Sequence, residues 1–496
     1  MKRSQAKAIT LLLIALMLTS AVSCQGKTDS GADTGETSAP DSMFQSEPLN
    51  ERDAAVDSVP DSLDFEGGVV RILYHDDARY ARDIISDGEN GEVINDAVYA
   101  RNTAVEERLN VKLEPIAAPT ANPSSFSVVN ALRTSVASAS DDYDIVCSHA
   151  IRTAGVVPEG MFLDLYDVKY LDFDKPWWNQ SAIDQLSIND KMYITIGDYS
   201  TLTLAATYCM FFNKELAASY SLPAEQLYQT VLDGKWTYDE MYKVVQELAS
   251  DLDGNTQMTD TDQYGLYTTV ASPAVAYNWA FGNVLTKKGS DGYPEMNINK
   301  ELMTEIVEKV YNLCYVNEGT FIGKPGVDDH TMFEEKRVLF YNGTFNDAFM
   351  LRDLKFSYGI IPYPKLNEQQ ESYLTMADGF HTVIGIPVTC TETDKVGAAL
   401  ELLNFYSYKH VVPAYYETAL KVKYTSDDES MKIMDMILEG RVFDFGYFYD
   451  NWKGFAFAIQ DLLTSQSSDF ASYYASRESS AESYFEEVVD SFRNID

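Results

Sequence analysis

Between Val69 and Cys147 the chain alternates between two hydrophobic periods, and this limits its fold more than any other feature. Val69-Val70-Arg71-Ile72-Leu73-Tyr74 is β-branched and aromatic, is bounded by Gly67-Gly68 and His75-Asp76-Asp77, and is predicted to be the first strand. Apolar residues then fall at Ile94, Ala97, Val98, Ala104, Val105 and Leu109, one face of a helix, with Asn95 or Asp96 near its start and Asn110 as a left-handed stop. Val111-Lys112-Leu113 resumes as a strand. Phe126, Val129, Leu132 and Val136 repeat the helical spacing, and residues 143–147 form another short apolar strand. Strand, helix, strand, helix, strand predicts an α/β layer with a largely parallel sheet.

The remainder continues in the same style. Asn189-Asp190 lies between two short extended runs and predicts a hairpin turn. Trp236-Thr237-x-x-Glu240 reads as a capping box with an apolar residue before the cap, opening a helix with Met241, Val244, Val245 and Leu248 on one side. A further helix is expected over 302–315, strands over 338–341 and 358–361, a helix over 396–405, and a mostly helical C-terminal part. Cys147, Cys209, Cys314 and Cys390 sit in apolar surroundings without metal or redox spacing, so buried free thiols are expected rather than a disulfide framework.

The head of the chain is different in kind. Lys2, Arg3 and Lys7 precede an apolar run over 8–18 that is too short to span a bilayer as a mature helix, the pattern of a secretion signal. Ala21-Val22-Ser23-Cys24 resembles a bacterial lipoprotein signal, with Ala where Leu is commoner. That resemblance implies a signal peptide over 1–23 and a lipid anchor on Cys24. Residues 24–67 are rich in Ser, Asp, Glu, Gly and Pro and poor in aliphatic clusters, a composition expected to form a disordered acidic tether. The formal charge of −38 grows more negative once the basic head is removed, which argues against nucleic acid and against adhesion to anionic lipid by charge. Solubility alone is a sufficient reason for the acidity.

A family resemblance emerges from the order of short patterns. The first strand, INDAVYARNTAVEERLNVKLE, the second helix, DYDIVCSHA and MFLDLYDV together resemble the first lobe of extracellular solute-binding proteins of carbohydrate importers, the maltose-binding-protein-like class. KPWWNQSAIDQLSINDKMYITIGDYSTLTLAATYCMFFNKELAASYSL is similar to the segment that crosses to the second lobe, and GKWTYDEMYKVVQELA, KRVLFYNGTFNDAF, YGIIPYPK and ADGFHTVIGIP follow in the family's order. The resemblance covers 68–496. It implies an α/β, two-lobed periplasmic-binding-protein-like fold with a mostly helical C-terminal part. The first lobe would comprise 68–198 and 380–410, the second 199–379 and 411–496, with hinge crossovers near 196–201, 378–382 and 409–414. The function it implies is a lipid-anchored, extracytoplasmic, monomeric protein at the outer face of the cell membrane. Such a protein captures a sugar or oligosaccharide between two lobes for ABC permease subunits and makes or breaks no bond.

Two alternatives stand beside this reading: a surface-anchored glycan hydrolase or lyase, and a binding protein for peptides or another nutrient. No Gly-x-Ser-x-Gly elbow, His-Glu-x-x-His or phosphate loop occurs. A glycosidase-type carboxylate pair stays open, because 76 acidic residues permit any pairing. Asp328-Asp329-His330 offers metal-ligating side chains, but an exposed polar loop explains it. The absence of a dense Arg/Lys cluster disfavours phosphorylated or polyanionic ligands.

Aromatic residues make up 12% of the chain, with 33 Tyr, more than an ordinary core requires. A pyranose offers apolar C–H faces and a rim of hydroxyls, so its site calls for flat aromatic platforms flanked by Asp, Asn or Arg. Where the resemblance places the cleft, the ligand candidates are Trp177, Trp178, Asp198, Tyr199, Trp279, Asn342, Asp378, Phe380 and Trp452. Core packing is the alternative for each aromatic. No cofactor is required, but one loop would admit Ca2+. Asp251, Asp253, Asn255, Gln257 through its carbonyl, and Asp262 resemble an EF-hand-type calcium loop. Thr256 replaces the glycine of the sharp turn and Asp262 the bidentate glutamate, and a solvated acidic turn is the competing account.

Overall fold

The computed structural model describes residues 52–118, 126–325, 330–416, 428–449 and 454–495, so the predicted signal peptide and Cys24 lie outside the described residues. The predicted alternation is realised as β1 (Gly68–His75), α1 (Ala78–Ile84), α2 (Val93–Leu109), β2 (Val111–Ala118), α3 (Ser127–Ala137) and β3 (Ile145–His149). Asn110 stops α2 in the left-handed conformation, with φ of 48°, but the N-cap is Glu92, whose carboxylate accepts the Asn95 amide, rather than Asn95 or Asp96. The buried face of α2 is Ile94, Val98, Val105 and Leu109. Each such side chain removed from water contributes about 1.5–3 kcal/mol.

The chain then builds a second sheet from β4 (Tyr208–Asn213), β5 (Tyr264–Thr268), β6 (Thr320–Ile322), β7 (Val338–Thr344) and β8 (Tyr358–Ile361), with α4 (Tyr238–Glu247) and α5 (Lys300–Tyr311) between strands. Thr237 caps α4 and the preceding Trp236 is fully buried. Afterwards β9 (Thr382–Gly385) returns to the first sheet, followed by α6 (Thr393–Tyr406) and the long final helix α7 (Phe470–Arg493). The first sheet has the order β9-β3-β1-β2, with β1 parallel to β2 and β3, and β9 antiparallel to β3. The second has the order β8-β4-β7-β5-β6, in which β5 runs parallel to β6 and β7. Asn189 and Asp190 both take positive φ at the predicted hairpin turn, and all four cysteines of the body are buried and free.

Two crossings between the sheets run side by side: Thr207 bridges Ala377, and the Asp378 amide donates to the Ala206 carbonyl at 2.8 Å. The first crossing is fixed from below by Asp83, which is fully buried and accepts from Ser200 Oγ (2.8 Å), Thr201 Oγ1 (2.7 Å) and the Leu202 amide (3.1 Å). Buried Arg101 donates to the Tyr199 and Asp83 carbonyls. At Gly197 a Cβ would run into Asn404 Oδ1 and lie 2.8 Å from the Trp178 ring. Because Asn404 Oδ1 also accepts the Tyr199 amide (2.9 Å), neither neighbour can give way cheaply. Gly197→Ala should therefore cost about 1–3 kcal/mol by overpacking. A urea-unfolding midpoint equal to that of the wild type would refute this.

Three boundaries differ from the sequence reading. Residues 52–67, taken as the end of a disordered tether, are seated on the body: Val59 is buried, Arg108 pairs with Asp57 (2.8 Å), and the Phe65 amide donates to Leu109 (2.9 Å). Of the segment's acidic residues, Asp57 is held by the Arg108 guanidinium against the body, while Asp61 and Glu66 stay exposed. At the third predicted crossing, 409–414, the chain still packs on α2, whereas Asp428–Glu439 lies against β8. Finally, α7 does not belong to the second lobe alone, since Phe492 packs against Tyr193 of the hairpin as well as Phe445.

Candidate functional site

A cavity of about 170 Å³ opens where the two crossings meet the second sheet. On one side stand the carboxyl-terminal parts of β5 and β7, with Tyr267, Tyr341, Asn342 and Thr344; on the other stand Arg79 at the start of α1 and Asp378 and Phe380 of the second crossing. The carboxyl ends of strands are where open α/β sheets receive ligands. A smaller cavity of about 30 Å³ beside α7 is walled chiefly by Leu285, Met296, Phe445 and Phe455 and offers little to a polar ligand.

The cavity wall is rigid and largely pre-bonded. Tyr208 donates its phenol proton to Asp378 Oδ2 at 2.7 Å, while the Phe380 amide donates to Oδ1 at 3.1 Å. Burial and the nearby carboxylate hold the Tyr208 hydroxyl well above its ordinary pKa, so it remains a donor. Tyr80 donates to the Phe380 carbonyl and the Gly379 amide donates to Tyr447, which fixes the crossing on both sides. Asp347 accepts from Thr344 (amide, 2.6 Å) and meets His330 Nε2 at 2.9 Å. The Tyr267 and Tyr341 rings stack at 5.5 Å with planes 21° apart. Asn342 spends its amide on Tyr277 (3.1 Å) and Thr268 (3.4 Å), and its buried Oδ1 has no protein partner among the described residues. An orphaned buried acceptor is costly unless a ligand or water supplies a donor.

Of the nine sequence candidates, the structure brings Asn342, Asp378 and Phe380 together at this cavity. Trp177 and Trp178 are instead core residues, each 1% exposed, and their indole N–H groups both end on buried Glu401 at 3.0 Å. Trp279 is likewise buried, donating to Asp444 at 3.0 Å and packed edge-on against Tyr447. Polar neighbours in sequence suggested exposure, whereas a buried indole only needs one acceptor, and Glu401 lies 224 positions from Trp177. Tyr199 is buried under the Arg101 guanidinium, 4.7 Å above its ring. Asp198 does not line the cavity; burial pushes its carboxyl up to about 7. Trp452 lies outside the described residues. The sequence reading missed Arg79, Tyr208, Tyr267, Tyr341 and Asp347; Tyr341 and Tyr208 carried a faint signal, standing beside Asn342 and just past the predicted first crossing.

The acidic loop is compact. Asp251, Asp253 and Asp262 bring carboxylate oxygens within 4.8 Å of one another. Each is also used by the loop's own backbone: Gly254 and Thr256 amides donate to Asp251, the Asn255 amide to Asp253, and Leu252 and Thr259 amides to Asp262. The Gln257 amide donates to Asn255 Oδ1. These amide bonds hold Asp251 and Asp262 below the usual carboxylate range, so both stay charged.

A family model described as bacterial extracellular solute-binding protein matches residues 120–421. No curated protein matches the sequence. Among solved structures, the maltose/maltodextrin-binding domain from Bdellovibrio bacteriovorus, bound to maltotriose, is 14% identical with a TM-score of 0.52, covering 86% of this chain and 100% of that one. An ABC substrate-binding protein from Listeria monocytogenes in complex with cycloalternan is 12% identical with a TM-score of 0.51, covering 86% and 99%. A solute-binding protein from Thermotoga lettingae bound with α-D-tagatose has the same identity and TM-score, covering 86% and 100%. These similarities establish the two-lobed fold.

Proposed function

This chain belongs to the family of bacterial extracellular solute-binding proteins, and on that premise we propose that it captures a sugar or oligosaccharide between its lobes for an ABC-type permease. The observation that carries this reading is the cavity at the crossings. The Phe380 ring supplies an apolar face, the stacked pair Tyr267 and Tyr341 forms the opposite wall, and Asn342 Oδ1 awaits a donor such as a hydroxyl. The structural neighbours from Bdellovibrio and Listeria were solved with saccharides, which points the same way.

The proposed role is non-enzymatic. Asp347 and Asp378 both line the cavity, but each spends its oxygens on hydrogen bonds from its own wall, which does not suit them to shuttle protons. Among the described residues no helix is long and apolar enough to cross a membrane. We further propose that Cys24 carries the lipid that keeps the body at the outer face, and that the protein acts as a monomer; the sequence pattern at 21–24 supports the anchor. Calcium at the 251–262 loop is a separate proposal, supported by the converging charged oxygens.

The test is a thermal-shift screen of mono- and oligosaccharides, amino acids and peptides, with and without Ca2+, followed by recovery of each hit. A ligand bound only by the native state raises the melting temperature by mass action. A saccharide that stabilises and returns intact is the expected outcome. Recovery of a cleaved saccharide would transfer the protein to the hydrolases or lyases, stabilisation by peptides alone would discard the sugar, and a melt indifferent to Ca2+ would discard the calcium loop.

A further inference from the structure

The charged groups of the cavity are unequally satisfied. Among the described residues three charged side chains line it: Arg79, Asp347 and Asp378. Asp378 has one donor on each oxygen, Tyr208 and the Phe380 amide. Asp347 meets His330 on Oδ1 and accepts both the amide and the hydroxyl of Thr344 on Oδ2. Both carboxylates are thus turned to their own walls. Arg79 is not. Its Nε reaches Asp77 Oδ1 at 3.1 Å, an oxygen that also accepts the Arg79 amide as the cap of α1, and its guanidinium lies 4.8 Å over the Phe380 ring. Nη1 and Nη2 donate to no other described residue.

Resting on the sugar reading above, we propose that the ligand is an acidic monosaccharide unit of the hexuronate type, whose carboxylate is held by the Nη groups of Arg79 while its ring lies in the cavity between Phe380 and the Tyr341 side. The guanidinium side chain is 31% exposed without ligand, and a ligand that covers it must replace the lost water with acceptors. The planar fork of arginine matches a carboxylate through two parallel bonds, and its position flat against Phe380 sets the direction of that fork. A single cation suits one carboxylate. A phosphate-rich ligand would meet one arginine against a chain of formal charge −38. Size acts in the same direction: a cavity of about 170 Å³ is smaller than the about 300–1,000 Å³ usual for drug-sized ligands, so it takes one ring rather than a chain.

Isothermal titration of the full chain with galacturonate, glucuronate, galactose, glucose and maltotriose tests the assignment. One uronate should bind at least about ten-fold more tightly than its parent hexose. Arg79→Gln should erase that ratio by weakening uronate binding far more than hexose binding, and Arg79→Lys, which keeps the charge without the fork, should fall between. The inference is overturned if the parent hexose or maltotriose binds as tightly as the uronate, a result that leaves the sugar reading intact. It is equally overturned if the uronate preference persists in Arg79→Gln. If neither uronate binds, this inference fails, and the sugar reading is decided separately by the saccharide screen above.

Discussion

Asp83→Ala is expected to lower the stability of the protein by about 3–5 kcal/mol, the usual cost of removing one partner from a buried charged network. The carboxylate is fully buried and takes three hydrogen bonds from consecutive residues, Ser200, Thr201 and Leu202, at the first crossing. Without it, two hydroxyls and an amide lose their acceptor in a place water does not reach, and Arg82, 3.8 Å away, loses its nearest carboxylate. Urea unfolding of the variant measures the loss. Asp83→Asn, which keeps the shape and one acceptor oxygen, should lose less. A cost below about 1 kcal/mol for the alanine variant would mean that the crossing is held by packing alone.

The second large effect is acid sensitivity. His75 and His149 end β1 and β3, and His381 precedes β9, so the three histidines gather at one end of the first sheet. Burial pushes His75 and His381 down to about 4 and His149 well below its ordinary value. In the unfolded chain these imidazoles take up protons below about 6.5, whereas the folded protein keeps them neutral. The unfolded state therefore binds more protons as the pH falls from about 6.5 towards 4, and stability is lost over that window. His381→Asn keeps a donor for the Asp378 carbonyl, which meets His381 Nδ1 at 2.7 Å, and removes the titration. Relative to the wild type, the variant should gain about 2 kcal/mol between about pH 7.5 and about pH 5. Glu401 and Asp198 act in the opposite sense, since burial raises both to about 7 and their contribution is lost as pH rises through that value. The wild-type profile alone is thus a difference of opposing slopes, and the comparison with His381→Asn isolates the histidine. An unchanged gap at the two pH values would refute the claim.

Much of the fold was legible because its signals are local. The apolar spacing of α2, the left-handed stop at Asn110 and the turn at Asn189-Asp190 each depend on residues within a few positions of one another. The candidate site was legible only in part, at Asn342, Asp378 and Phe380, because the family resemblance of the motif order implies where the crossings and the cleft beside them fall. The tryptophans misled for a physical reason: an indole beside polar residues looks suited to a wet cleft, yet Glu401 and Asp444 satisfy its N–H inside the core.

The sequence by itself determined the alternation of strands and helices, the free buried cysteines and the family order of motifs, because periodicity, turn chemistry and composition act over short range. Tertiary structure alone decided which charges are spent and which remain. Asp83 holds a crossing more than a hundred positions away, Asp347 is taken up by His330 and Thr344, and Arg79 reaches the cavity with two nitrogens in hand. Whether a charged side chain has a partner depends on distances of a few ångströms between segments that the chain order does not bring together.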